Sequence, residues 1–222
     1  MHFYITEGWT IFCLLLGVII VTLLIMNFLG GKFYTQDVVL RRFSIMDLQF
    51  PGSPVELEHV LKGIFELPAD RSQKTLRALK AQLYLDFLFM PAAYGAIFIL
   101  CMHVASKMST SGQQLFSILA WAQLIALLCD VFENIFLLMN LKPGISISNR
   151  GVVKVYLILV VIKWMSALVA LVCALSALFY FWLIGRYSGD SLPYLWIICA
   201  EVTLFVVLRL IIARKANELE KE

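Results

Sequence analysis

The sequence predicts an all-α integral membrane protein, a bundle of five transmembrane helices. Three observations carry that expectation. Hydrophobic residues make up 61% of the 222 residues and mean hydropathy is +0.87, whereas soluble domains are about half apolar. Several runs exceed the ~20 apolar residues needed to cross a hydrocarbon core of ~30 Å. Segments of about ten residues with alternating polarity, the mark of a β-barrel, are missing from the sequence. The whole chain, 1–222, reads as a single membrane domain with one polar segment inside it.

The first predicted span covers 9–30. Its N-terminal flank has no Lys or Arg before Lys32 and no small-residue cleavage site, so it reads as a retained helix rather than a cleaved signal peptide. Tyr4 and Trp9 suit a membrane interface. Residues 31–82 form a cytoplasmic amphipathic connector, too short and too poor in core residues to fold alone. Within it, Phe43 to Phe50 alternates in polarity and reads as a short strand or an extended piece along the membrane. Pro51-Gly52-Ser53-Pro54 breaks the chain. Ser53 and Glu56 have capping-box spacing with Pro54 at the first helical position. A helix to about Phe65 should follow, with Leu57, Val60, Leu61 and Ile64 on its apolar face and Glu58 and Lys62 opposite. Asp70 to Gln73 offers a second cap. It opens a helix with Lys74, Arg77 and Lys80 that continues into the membrane. The segment serves as a surface connector or, in the sharper alternative, as a lid over polar groups in the bundle.

The second predicted span, 83–105, places Asp86, Met90 and Tyr94 on one face, and Pro91 frees a carbonyl near Phe87. The third, 114–140, carries Gln123, Asp130, Glu133 and Asn134, and Lys142-Pro143-Gly144 stops it. The fourth, 153–185, holds Lys163 and ends in the aromatic run Phe179-Tyr180-Phe181-Trp182, suited to an interfacial belt. A turn is expected at Asp190-Ser191-Leu192-Pro193. The fifth span, 194–213, has Glu201 in its middle and Arg209 near its end, and Glu218, Glu220, Lys221 and Glu222 form a solvated tail. No internal repeat suggests an inverted-repeat transporter.

Five spans separate the basic residues by side. Fourteen Lys and Arg fall on the side of residues 31–82, of the connector around Lys142, Arg150 and Lys154, and of the C-terminal flank with Arg214, Lys215 and Lys221. Lys107 and Arg186 fall on the other. The positive-inside rule then puts the N-terminus outside and the C-terminus in the cytoplasm, in a multi-pass plasma membrane protein.

The stretch Asp130-Val131-Phe132-Glu133-Asn134 puts two carboxylates and a carboxamide on one helix face inside an apolar run. An ionisable group at such depth is costly and marks a candidate site. At ~1.5 Å per residue from the cytoplasmic flank, Glu133 and Lys163 lie ~13 Å deep, Asp130 ~18 Å and Glu201 ~20 Å. Asp86 and Arg209 lie at about 8–9 Å on the same scale. Two ion pairs follow as expectations, Lys163 with Asp130 and Glu133, and Arg209 with Asp86, although Arg209 is also placed to snorkel to the surface. The candidate ligand-binding residues are Asp86, Tyr94, Asp130, Glu133, Asn134, Lys163, Glu201 and Arg209. The spans hold four acids (Asp86, Asp130, Glu133, Glu201) against two bases (Lys163, Arg209). The excess carboxylates must be protonated, hydrated or met by an external cation.

Cys13, Cys101, Cys129, Cys173 and Cys199 all lie in apolar runs, without a CxxC motif, and read as small core residues. His2, His59 and His103 have no partner at metal-ligand spacing. Neither a metal nor a cofactor is therefore expected. Nucleic-acid binding is not expected either, because the basic residues lie where topology requires them.

Three motifs resemble a family of small bacterial polytopic membrane proteins. They are Asp47-Leu48-Gln49-Phe50-Pro51-Gly52-Ser53-Pro54, then Leu85-Asp86-Phe87-Leu88-Phe89-Met90-Pro91 with Tyr94, and Asp130-Val131-Phe132-Glu133-Asn134. The resemblance covers roughly residues 45–140. It implies that the loop and the two acidic helices belong to one unit, and it implies no activity. Gln49 stands where that family more often has Glu.

Three functional readings follow. The first is a non-catalytic membrane protein whose cytoplasm-facing acidic cavity binds a small ligand, a lipid head group or a cation, with carrier activity as one form. The second is a lipid-modifying integral-membrane enzyme, with Asp86, Asp130 and Glu133 as acid–base groups and Lys163 as electrostatic stabiliser. No Ser/His/Asp arrangement or HExxH motif supports it. The third is a structural subunit of a homo- or hetero-oligomer, packed through small residues such as Ala92, Ala96, Ala170 and Ala174. Membrane lipid is a partner under all three.

Overall fold

The computed structural model describes the backbone of residues 2–36, 39–144, 150–186 and 192–219, with side chains over 8–36, 39–144, 151–186 and 193–211. The elements run α1 (His2–Gly30), β1 (Tyr34–Gln36), β2 (Leu40–Arg42), α2 (Ile45–Gln49), α3 (Pro54–Glu66), α4 (Ala69–Ala105), α5 (Thr110–Asn140), α6 (Arg150–Leu183) and α7 (Leu192–Leu219). Among the described residues, α1, α4, α5, α6 and α7 are long and apolar enough to cross a membrane. Each begins before the span read from sequence, because the helical backbone continues into the polar flanks, while α6 stops at Leu183, two residues short of the expected end at Gly185, whose φ is positive. The expected turn at Asp190 and Ser191, the connector at 145–149 and the tail at 220–222 lie outside the described residues.

Contacts divide the chain into two units, and α1, α4, α5 and α6 contribute to both. The first unit comprises residues 1–24, 91–124 and 166–222. Its core joins Phe12 and Cys13 of α1 to Ala96, Leu100, Cys101 and Val104 of α4, Ala120 of α5 and Ala170 and Ala174 of α6. The small residues Ala92, Ala96, Ala170 and Ala174 are buried here, so that part of the stripe packs within the chain. The Cys101 thiol points at the Ala170 carbonyl, 3.9 Å away. Phe179, Tyr180 and Trp182 are exposed while Phe181 is buried, the outward aromatic arrangement expected of a belt.

The second unit comprises residues 25–90 and 125–165 and holds the polar connector. The expected helix after Pro54 is present as α3. Its N-cap is Ser53, whose hydroxyl accepts from the Glu56 amide at 3.1 Å. The Glu56 carboxylate accepts from the Gly52 amide at 2.8 Å, one residue upstream of the usual capping-box partner. Leu57, Val60, Leu61 and Ile64 are all buried, and Glu58 pairs with Lys62 on the other face. The apolar periodicity thus translates directly into packing.

One local expectation is corrected. Phe43–Phe50 is not a strand; residues 45–49 form the one-turn helix α2. The cause is a capping box, with the Asp47 carboxylate accepting from the Ser44 amide at 2.7 Å. That local bonding outweighs a weak two-residue alternation. The extended pieces lie upstream, where β1 and β2 pair antiparallel with Thr35 opposite Arg41. The hairpin sits on α3: Thr35 donates its hydroxyl to the Val60 carbonyl at 2.9 Å. Gly63 permits that approach, because a β-carbon there would overlap the Gln36 carbonyl and the Thr35 hydroxyl.

The helix with Lys74, Arg77 and Lys80 does run unbroken into the second span. α4 is 37 residues long and continues through Pro91, and its division between the two units falls at that proline. Pro91 removes one helical donor, as in other interrupted membrane helices.

Candidate functional site

The second unit gathers a buried polar cluster from three membrane-spanning helices and the connector. α5 contributes Asp130, Glu133 and Asn134, whose i, i+3, i+4 spacing puts them on one face. α6 contributes Lys163 and Tyr156, and α4 contributes Asp86. Glu133 and Asn134 are each 1% exposed, Lys163 3% and Asp130 5%. Such burial of a charge is stable only when it is paired.

Lys163 supplies the pairing. Its Nζ lies 2.5 Å from Asp130 Oδ1 and 2.5 Å from Glu133 Oε2. The expected ion pair is therefore a triad with one ammonium between two carboxylates. Asn134 Nδ2 donates to Asp86 Oδ2 at 2.7 Å and also lies 3.3 Å from the Leu83 carbonyl. This bond ties α5 to α4 and gives the Asp86 carboxylate a neutral donor. Arg209, the partner expected for Asp86, is an exposed residue of the first unit.

The connector covers the triad. Leu48 and Gln49 of α2 are buried, and the Tyr156 hydroxyl donates to the Leu48 carbonyl at 2.8 Å. Tyr156 is itself positioned by Phe136, with ring centroids 4.7 Å apart. The Gln49 carboxamide faces the Glu133 carboxylate. In this unit the buried Glu133 Oε1 and Gln49 Oε1 have no hydrogen-bond partner among the described residues, and neither does Gln82 Oε1, which lies beside Gly30 at the end of α1. Each costs free energy where it stands, about 1–3 kcal/mol for an unsatisfied buried group.

Of the eight residues expected at the site, Asp86, Asp130, Glu133, Asn134 and Lys163 belong to this unit. Tyr94, Glu201 and Arg209 belong to the first. Tyr94 is buried there, and Glu201 is half-buried with Oε1 beside Gly17 and Oε2 without a hydrogen-bond partner. Gln123, also in the first unit, is fully buried and donates to the Leu119 and Ser166 carbonyls at 3.0 and 3.3 Å.

Two members of the cluster, Tyr156 and Gln49, were not among the residues expected at the site. Gln49 was noticed only as a departure from a motif. No charge marks either of the two, so depth counting does not find them.

Among the described residues, no group of three or more His, Cys, Asp or Glu side chains has the geometry to hold a metal ion. The Lys163 ammonium occupies the position between the two α5 carboxylates that a cation would otherwise take. No family model, curated protein or solved structure matches the chain.

Proposed function

We propose that this multi-pass membrane protein binds a small cation, or the cationic group of a small molecule, at the acidic cluster beneath α2. One observation carries the reading. Asp130 and Glu133 share a single ammonium, Asp86 has only the neutral donor Asn134 beside it, and Glu133 Oε1 and Gln49 Oε1 are buried acceptors without a hydrogen-bond partner among the described residues. A positively charged or donor-rich group would meet the unmatched charge and the unmatched acceptors together. Entry requires α2 to lift, because Leu48 and Gln49 lie over the triad's helices. The connector acts in this reading as a lid, and the loop and two acidic helices work as one unit, as the motif resemblance implies.

The basic residues favour an inner-membrane protein with its N-terminus outside, and with α2, α3 and the cluster's entrance on the cytoplasmic side. Release of the bound cation across the membrane would make the protein a carrier. An enzymatic role has less support, since the Lys163 ammonium is held by both α5 carboxylates and the Tyr156 hydroxyl by the Leu48 carbonyl. A scaffold role is the second reading, favoured by Lys163 touching both acids of α5.

The test is thermal unfolding of the purified protein in a neutral detergent with sodium, potassium, magnesium and a small primary ammonium. At least one of these should raise the melting temperature of the wild type, and Glu133→Gln and Asp86→Asn should each lose that rise while remaining folded. Equal responses in wild type and variants, or no response at 100-fold the protein concentration and above, would refute the cation site.

A further inference from the structure

An open groove of about 980 Å³ lies on the second unit, away from the acidic cluster's side chains. Its walls are the C-terminal end of α1, the β1–β2 hairpin and the first turns of α4. Four cations line it: Lys32, Arg71, Lys74 and Arg77. None of the four has a carboxylate within ion-pair distance among the described residues, and no described acid lines the groove. On α4 the spacing i, i+3, i+6 sets Arg71, Lys74 and Arg77 along one stripe about 9 Å long.

The groove is built rather than incidental. The Thr75 hydroxyl, fully buried behind it, donates to the Lys32 carbonyl at 3.0 Å and so pins the end of α1 to α4. Ala78 and Ala81 keep the floor low. Leu29 and Leu40 give it an apolar lip. Lys32 stands two residues past Gly30, the end of the first membrane-spanning helix, and Arg77 stands six residues before Leu83, where the apolar run of α4 begins. By chain position the groove therefore falls at the level of lipid head groups.

Lys32 Nζ also lies over the Phe28 ring, 4.3 Å from its centroid, but cations converging on one concavity with no described carboxylate between them repel one another, and an anion with several oxygens relieves that repulsion. Guanidinium groups favour phosphate in particular, since two parallel N–H donors match two of its oxygens. A basic pocket beside membrane helices with an apolar lip has both parts of a lipid's chemistry to recognise. We infer that this groove seats the phosphate of an anionic phospholipid head group, with Arg71, Lys74, Arg77 and Lys32 as the anion-binding residues and Leu29 and Leu40 against the glycerol and upper acyl chain.

The experiment is native mass spectrometry, with melting temperature as a second readout, on the full chain in neutral detergent. Phosphatidylglycerol, phosphatidylcholine and soluble glycerol phosphate are added in separate arms. Wild-type protein should retain phosphatidylglycerol in preference to phosphatidylcholine and gain stability from it, while glycerol phosphate at the same concentration leaves it unchanged. Arg71→Gln/Lys74→Gln/Arg77→Gln should weaken phosphatidylglycerol binding about a hundredfold. Lys142→Gln, at an exposed lysine outside the groove, should not change it. The three groove substitutions are at exposed positions, and an unchanged melting temperature without lipid confirms that the variant folds. Equal retention of both lipids by the wild type, or full retention of phosphatidylglycerol by the triple variant, overturns the assignment. A stabilisation by glycerol phosphate as large as that by the lipid overturns it in favour of a soluble phosphate compound.

Discussion

Replacing Lys163 with methionine removes the one ammonium shared by Asp130 and Glu133 while keeping the length of the side chain. Both carboxylates then stay buried without a counter-charge, since Nζ lies 2.5 Å from each in the wild type. Breaking a buried pair from one side costs about 3–5 kcal/mol. A domain of this size shifts by about 2–4 °C per kcal/mol, so the melting temperature should fall by roughly 6–20 °C. Neutralising all three positions, with Asp130→Asn and Glu133→Gln added to Lys163→Met, should recover most of that loss, because nothing charged is left in the apolar interior. Thermal unfolding in detergent, followed by tryptophan fluorescence, reads both numbers. A fall under about 2 °C for Lys163→Met would refute the triad as a buried charged unit, since 3 kcal/mol already corresponds to about 6 °C. A triple variant no better than the single one would show that the groups act through packing instead.

Tyr156→Phe deletes the donor to the Leu48 carbonyl and should loosen α2 with a stability loss of about 1–3 kcal/mol; a cysteine placed at Gln49 should then react faster with a water-soluble maleimide. Gly63→Ala drives a β-carbon into the Gln36 carbonyl and should cost about 1–3 kcal/mol, measured by chemical unfolding. Ser53→Ala removes the N-cap of α3 and should cost about 1 kcal/mol, with faster hydrogen exchange over residues 54–57.

The membrane character and the span positions were legible because both rest on composition and run length, which lipid imposes directly. α3 was legible to the residue at its start, since Ser53, Pro54 and Glu56 form a local signal that needs no tertiary context. The Lys163 triad followed from depth, a one-dimensional quantity. Depth alone did not find the donor that Asp86 has, the neutral carboxamide of Asn134 on the neighbouring helix of its own unit. α2 was misread because two alternating positions are a weaker signal than a Ser44–Asp47 box, whose spacing was there to see. Gln49 and Tyr156 were silent for a different reason. Their places depend on how the connector folds back onto α5 and α6, and that is set by long-range packing around Leu48.

The cation-binding reading is tested most directly by isothermal titration of the purified protein with whichever cation raises its melting temperature. The account predicts one cation bound per chain, with binding lost in Glu133→Gln although that variant keeps its fold. Saturable binding that persists unchanged in Glu133→Gln would contradict it, as would a wild-type protein that binds no cation while Lys163→Met alone collapses its stability, the behaviour of a scaffold.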